Sequence, residues 1–226
     1  MDRRTHIVWD WNGTLLHDIH TVIAATNAAF GELGLPSMTL DRYRELYCVP
    51  IPRFYERVMG RMPTEEEFAA MDVVFHRHYF SLVDAALLTE GAAELLAART
   101  AGGHTQSLCS LAAHDHLVPM VRRHGIDHHF VRVDGNLAPY NGSGKAEQMA
   151  RHLEALTSGP GQAVDPVRAV VIGDAVDDAR AAAHVGAHAV LYTGGSHSRA
   201  SLRTAGVPVV DSLDEAVAVA DELVRG

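Results

Sequence analysis

From Leu87 onward, short apolar runs alternate with stretches of helical period, and this alternation narrows the possible folds more than any other feature. Strands are expected at His104–Cys109, Phe130–Val133, Ala169–Ile172, His188–Leu191 and Val207–Val210, where Pro208 marks a sheet edge. Between them lie helices at Glu90–Ala101, stopped by Gly102-Gly103, and Leu117–His124, with Pro119 in its first turn and Gly125 at its end. Others follow at Lys145–Leu156 and Asp177–Val185, and Ser212 with Glu215 caps a last one. Parallel strands need long crossovers, so this order predicts an α/β chain with a parallel sheet and helices on both faces. One more strand, His6–Trp9, stands near the start of the chain.

Residues 17–84 break the alternation. Ile19, Val22, Ile23, Thr26, Phe30 and Leu33 recur at helical spacing over 18–33, and Gly34 with Pro36 ends that helix. Thr39 caps a second helix through Tyr47, and a third runs over Arg53–Met59. Thr64 and Glu67 form a capping box for a long helix carrying Phe68, Met71, Val74, Phe75, Tyr79 and Leu82. No strand pattern occurs in this segment, so it is read as a helical insertion: residues 1–16 and 85–226 form one unit and 17–84 another.

Composition excludes several function classes. Lysine and arginine number 19 against 28 aspartates and glutamates, a formal charge of −9, which argues against nucleic acid as a partner. The two cysteines, Cys48 and Cys109, make no disulfide framework. No apolar run approaches membrane-spanning length and the N-terminus lacks a signal-peptide pattern, so a cytoplasmic location is expected. The 15 histidines include the pairs His76/His78, His114/His116 and His128/His129, but none has metal-ligand spacing on a clear helix.

Candidate chemistry gathers at strand ends, where open α/β sheets bind ligands. His6–Trp9 runs into Asp10-Trp11-Asn12-Gly13-Thr14. A carboxylate at Asp10 can be nucleophile, metal ligand or helix cap, and an Asn-Gly turn with flanking caps is the plainer reading. Ser110 follows the strand His104–Cys109 as either a phosphate-binding hydroxyl or a turn serine. Lys145 opens a helix, where the dipole disfavours a cation, so it needs an anionic partner or solvent; taken alone, solvent is the simpler expectation. Asn141-Gly142-Ser143-Gly144-Lys145 is not a P-loop, because the glycine spacing differs and Ala146 follows the lysine. The strongest signal is Val170-Val171-Ile172-Gly173-Asp174, with Asp177 and Asp178 close behind. Three neighbouring carboxylates repel unless a cation joins them or they spread into water, and oxygen ligands at a strand end suit Mg²⁺.

Asp10-x-Asn12-Gly13-Thr14, Ser110, Lys145 and Gly173-Asp174-x-x-x-Asp178, in this order, resemble the haloacid dehalogenase superfamily of hydrolases. The helical insertion after the first motif is similar to that family's α-helical cap, and the remainder to its Rossmann-like core. The Gly173–Ala182 run and the cap type resemble the phosphoglycolate phosphatase-like branch. The resemblance implies Mg²⁺-dependent hydrolysis of a small phosphorylated metabolite. Asp10 would form an aspartyl phosphate, while Thr14 and Ser110 bind phosphoryl oxygens and Lys145 neutralises charge. The metal would be held by Asp10, the Asn12 backbone carbonyl, Asp174, and Asp178 or Asp177. Dehalogenation uses no Mg²⁺ and would leave these carboxylates without a role. The Tyr47–Arg53 stretch would face the site, with Arg53 a candidate for an anionic group on the substrate.

Asn12 departs from the family pattern, in which an aspartate protonates the leaving group and later activates water. An amide transfers no proton, and losing a positioned acid–base group costs about 10²- to 10⁴-fold in rate. Three readings follow: a phosphatase, slow or dependent on a good leaving group; a phosphotransferase; and a non-catalytic module that binds Mg²⁺ and a phosphorylated ligand.

Overall fold

The computed structural model describes residues 5–137, 144–158 and 164–225. The segments 138–143 and 159–163 lie outside the described residues, and with them most of the Asn141–Lys145 sequence and the Gly159-Pro160-Gly161 stretch, whose composition reads as a loop. In chain order the strands are β1 (His6–Trp9), β2 (Leu16–His17), β3 (Leu87–Leu88), β4 (Thr105–Ala113), β5 (Arg132–Asn136), β6 (Ala169–Gly173), β7 (His188–Tyr192) and β8 (Val209–Val210). The helices are α1 (Ile19–Glu32), α2 (Leu40–Leu46), α3 (Ile51–Met59), α4 (Glu65–Leu82), α5 (Ala92–Ala101), α6 (His114–Arg123), α7 (Ala146–Ser158), α8 (Val176–His184), α9 (Arg199–Arg203) and α10 (Leu213–Arg225).

Six strands form one sheet in the order β5-β4-β1-β6-β7-β8, every neighbouring pair parallel. β1 lies inside the sheet, and the chain winds outward from it on both sides. The pleat sends alternate side chains to opposite faces. Ile7 and Trp9 pack with α5, α6 and α10, and Val8 packs with α7, α8 and α9. This is the expected Rossmann-like core with helices on both faces. No helix among the described residues is long and apolar enough to cross a membrane.

Helices α1 to α4 build a core of their own from Ile19, Phe30, Tyr43, Phe54, Tyr55 and Met71. The capping box predicted for α4 is present, with both Thr64 and Glu67 bonding. The two linkers to this helical part are not separate tethers. β2 and β3 pair antiparallel, Leu16 opposite Leu88 and His17 opposite Leu87. The Thr89 N–H extends the pairing to the Leu15 carbonyl at 2.8 Å.

Some boundaries differ from the sequence reading. α6 begins at His114, which puts Pro119 inside the helix rather than in its first turn. The polar His114-Asp115-His116 gave no apolar period to detect. β5 is Arg132–Asn136, not Phe130–Val133, because an edge strand tolerates Asp134-Gly135-Asn136, which reads as a turn. The helix α9, only five residues long, was missed.

One buried polar string crosses the sheet. His6 bonds Thr105 Oγ1 and Ser107 Oγ, each at 2.8 Å, and His152 on α7 bonds Ser107 Oγ at 2.8 Å and Asp134 Oδ2 at 2.7 Å. Burial holds both imidazoles below their ordinary range, His6 down to about 3.

Candidate active site

The carboxyl ends of β1, β4 and β6 and the start of α7 converge on one spot. The N–H of Asp10 donates to the Ile172 carbonyl at 2.9 Å, so the chain keeps to the sheet one residue past Trp9. Gly13 then takes φ +72° and turns it back. A Cβ on Gly13 would also lie 2.6 Å from Asp174 Oδ2, so both backbone and space demand glycine there. The turn returns Thr14, whose hydroxyl points to Asp10 Oδ2 at 3.4 Å.

Asp174 follows β6. Its Oδ2 accepts the Ser196 N–H at 2.6 Å, in the loop after β7. That loop presses on the carboxylate so closely that a Cβ on Gly195 would stand 2.0 Å from Asp174 Oδ2. Asp178, in the first turn of α8, accepts the Ala175 N–H at 3.1 Å.

Lys145 is buried, 2% exposed, contrary to the solvent expectation. Its Nζ donates to Asp10 Oδ1 at 2.5 Å and to Asp178 Oδ1 at 2.7 Å. The anionic alternative therefore holds, and the cation is stabilised by side chains instead of by its helix. Asp177, which competed with Asp178, turns aside to accept the Lys145 N–H at 2.7 Å.

Carboxylate oxygens of Asp10, Asp174 and Asp178 all lie within 4.8 Å of one another. Burial raises Asp10 to about 7 even against the pull of Lys145, and burial with the charges of Asp10 and Asp178 drives Asp174 well above the carboxylate range. Burial also opposes the charge on Lys145, but Asp10 and Asp178 outweigh it and hold the ammonium above its ordinary value. Three acids with one ammonium among them would, when ionised, carry an excess of negative charge in a dry site, which is why burial raises Asp10 and Asp174. Closely set oxygens with uncompensated charge fit a divalent cation of the Mg²⁺ kind.

Asn12 is tied down. Its amide donates to Asp18 Oδ2 and to the Tyr79 hydroxyl, both at 2.8 Å. Asp18 is buried, and it also accepts the Tyr79 hydroxyl at 2.6 Å and the Gly13 N–H at 2.8 Å. Burial raises its carboxyl above the usual range against these donors. A buried carboxylate next to residue 12 favours an amide there over a second acid. Asp18 and the exposed His17 stand close behind the motif in sequence, whereas Tyr79 is 67 residues away from Asn12 and carried no sequence signal.

Ser110 is buried where the pairing of β4 with β5 becomes irregular. Its hydroxyl accepts the Ala112 N–H at 3.1 Å, a serine turn, and its carbonyl accepts Gln148 Nε2 at 2.6 Å. Arg53 stands apart from the carboxylates. It pairs with Glu56 at 2.6 Å and lines a cleft of about 400 Å³ between α3 and the α8–α9 side of the sheet. Arg57, Arg180 and His197 line the same cleft. His197 is buried, its Nδ1 has no hydrogen-bond partner among the described residues, and burial lowers its pKa to about 4.

Comparison with known proteins gives a consistent result. The family model of the haloacid dehalogenase-like hydrolases matches residues 5–186. No curated protein sequence matches. Among solved structures, a predicted phosphatase from Clostridium acetobutylicum is similar over 99% of both chains, with a TM-score of 0.81 and 15% identity. A predicted phosphoglycolate phosphatase from Haemophilus somnus superposes over 97% of this chain and 99% of its own, with a TM-score of 0.72 and 19% identity. Protein Tyrosine Kinase A from Mycobacterium tuberculosis aligns over 96% and 98%, with a TM-score of 0.77 and 22% identity. At these identities the likeness establishes the fold.

Proposed function

The chain belongs to the haloacid dehalogenase-like hydrolases, and from that membership we propose that it is a Mg²⁺-dependent phosphatase of small phosphorylated metabolites acting through Asp10. The observation that carries this reading is Lys145, buried between Asp10 and Asp178 beside Asp174. In the proposed reaction a carboxylate oxygen of Asp10 attacks phosphorus. The O–P bond to Asp10 forms as the bond to the leaving oxygen breaks, and the electron pair departs with that oxygen. Lys145 favours the ionised form of Asp10 and sets its charge against the phosphoryl group, and the hydroxyls of Thr14 and Ser110 donate to phosphoryl oxygens. Asp10, the Asn12 carbonyl, Asp174 and Asp178 would hold Mg²⁺, which supplies Lewis-acid neutralisation of the phosphoryl charge. Water attack on phosphorus then breaks the O–P bond to Asp10, releasing inorganic phosphate, with the water's proton passing to the phosphate or to solvent and the Asp10 carboxylate restored.

Residues 17–84 are proposed to act as a cap over the core of 1–16 and 85–226. The cleft with Arg53, Arg57 and Arg180 is where a second anionic group on the substrate would sit. A phosphorylated acid of the phosphoglycolate kind suits that cleft. A cytoplasmic setting is part of the proposal, in keeping with two free cysteines.

The state of Asn12 favours a second reading, phosphotransfer. An aspartyl phosphate with no acid–base group beside it loses its phosphoryl group slowly to water and survives to meet another acceptor. Assay with a panel of phosphorylated metabolites and aryl phosphates, with and without Mg²⁺, decides between these. Hydrolysis that requires Mg²⁺ and vanishes in Asp10→Asn supports the phosphatase. A trapped phosphoenzyme discharged only by an added acceptor supports the transferase. Binding of Mg²⁺ and a phosphorylated ligand with no turnover by either route leaves a binding module.

A further inference from the structure

Helix α2 reaches across to the loop that follows β7. The guanidinium of Arg44 donates through Nε to the Gly195 carbonyl at 2.9 Å and through a terminal nitrogen to the Gly194 carbonyl at 3.1 Å. The Ser198 N–H donates to the Arg44 carbonyl at 3.1 Å, and the rings of Tyr47 and His197 meet edge to face, 5.0 Å between centroids. The same loop that Arg44 binds also holds one of the carboxylates. Gly195 presses on Asp174, and Ser196 gives it the 2.6 Å N–H bond. Gly13 and this loop both approach Asp174 closely.

We propose that Arg44 is a positioning residue: its two-pronged grip on the Gly194 and Gly195 carbonyls fixes the loop that aims Asp174, so that contact with the helical part is required for a full-strength cation site. The inference rests on the metal assignment made above. The planar fork suits the task, since two adjacent carbonyls need two divergent N–H donors, which a lysine ammonium supplies poorly. Coupling of this kind is reciprocal. Whatever strengthens cation binding through Asp174 also strengthens the α2–loop contact.

The test compares Arg44→Ala and Arg44→Lys with Arg42→Ala, a control on the same helix whose exposed guanidinium pairs with Glu45. Amide exchange at Ser196 is followed by NMR in metal-free protein, and Mg²⁺ affinity by titration calorimetry. Losing two charge-assisted bonds should speed Ser196 exchange about tenfold or more in Arg44→Ala and weaken Mg²⁺ binding by roughly five- to tenfold. Arg44→Lys should fall between, and Arg42→Ala should match wild type. Unchanged Ser196 exchange overturns the proposal, as does equal loosening in Arg42→Ala. Faster exchange with unaltered Mg²⁺ affinity also overturns it, because the loop would then not aim Asp174. Should the wild type bind no Mg²⁺ at all, the metal assignment fails, and the exchange data alone still decide whether Arg44 fixes the loop.

Discussion

Replacing Asn12 by aspartate inserts the family's usual acid, yet the surroundings of residue 12 oppose it. The wild-type amide donates to Asp18 Oδ2 at 2.8 Å, and Asp18 is 1% exposed. Asn12→Asp removes that donor and sets a second carboxylate against the first. At a charge separation of roughly 4 Å and an effective dielectric of about 20, the repulsion is about 4 kcal/mol, a large share of a small protein's stability. The sign of the pH dependence follows from protonation. Asp18 already sits above the usual carboxylate range because it is buried, and a second acid raises the pair further. A group with a raised folded pKa contributes stability below its unfolded pKa and loses it as pH rises through the folded value. Asn12→Asp should therefore match wild type in acid and fall progressively behind as pH rises. The exchange Asn12→Asp/Asp18→Asn restores a donor–acceptor pair and should recover most of the loss. It should also raise kcat for alkyl phosphates by about tenfold or more over wild type, with a smaller gain for aryl phosphates, whose leaving groups need no proton. The assay is thermal unfolding from pH 5 to about 8, with kinetics on an alkyl and an aryl phosphate. If Asn12→Asp is as stable as wild type at the alkaline end, the Asp18 contact is not what selects an amide at position 12.

Asp174→Asn should weaken Mg²⁺ binding strongly and leave the melting temperature of the metal-free protein unchanged or higher, because it relieves repulsion with Asp10 and Asp178; calorimetry and thermal unfolding check both parts. Lys145→Met should cost about 3–5 kcal/mol by leaving Asp10 and Asp178 buried without their cation, measurable in urea unfolding, and added Mg²⁺ should return part of it. His6 is held down to about 3 by burial, so the unfolded chain takes up its proton first as pH falls. Its contribution is complete above about pH 6.5 and drains away on acidification towards 3. His6→Asn should lower stability at pH 7 and flatten the fall between pH 6.5 and 4, as seen by unfolding at several pH values.

The sheet was legible because strands such as Ala169–Gly173 and the Ala189–Leu191 centre of β7 are buried, apolar runs. Asp10 and Asp174 were legible because each directly follows such a strand. Lys145 was legible only through the family resemblance, since the dipole at a helix start predicts an exposed lysine, and only the fold brings in Asp10, 135 positions away. The Asn12–Asp18–Tyr79 cluster was hidden for the same reason: Tyr79 shares its helical period with the core residues around it. The Gly194-Gly195-Ser196 loop did carry a usable signal. It follows an apolar parallel strand just as Asp10 and Asp174 do, and two glycines in succession mark a close approach.

The pairing of β2 with β3 has a mechanical consequence. Two independent tethers would let the helical part swing and roll in any direction. A ribbon of two hydrogen-bonded strands resists shear in its own plane and yields mainly to bending across it and to twist. Tyr79 reaches Asn12 and Arg44 reaches the Gly194–Gly195 carbonyls from different helices of that part. Were the helical part to move as the proposed cap, the ribbon would confine its path, and the two contacts would close together rather than one at a time.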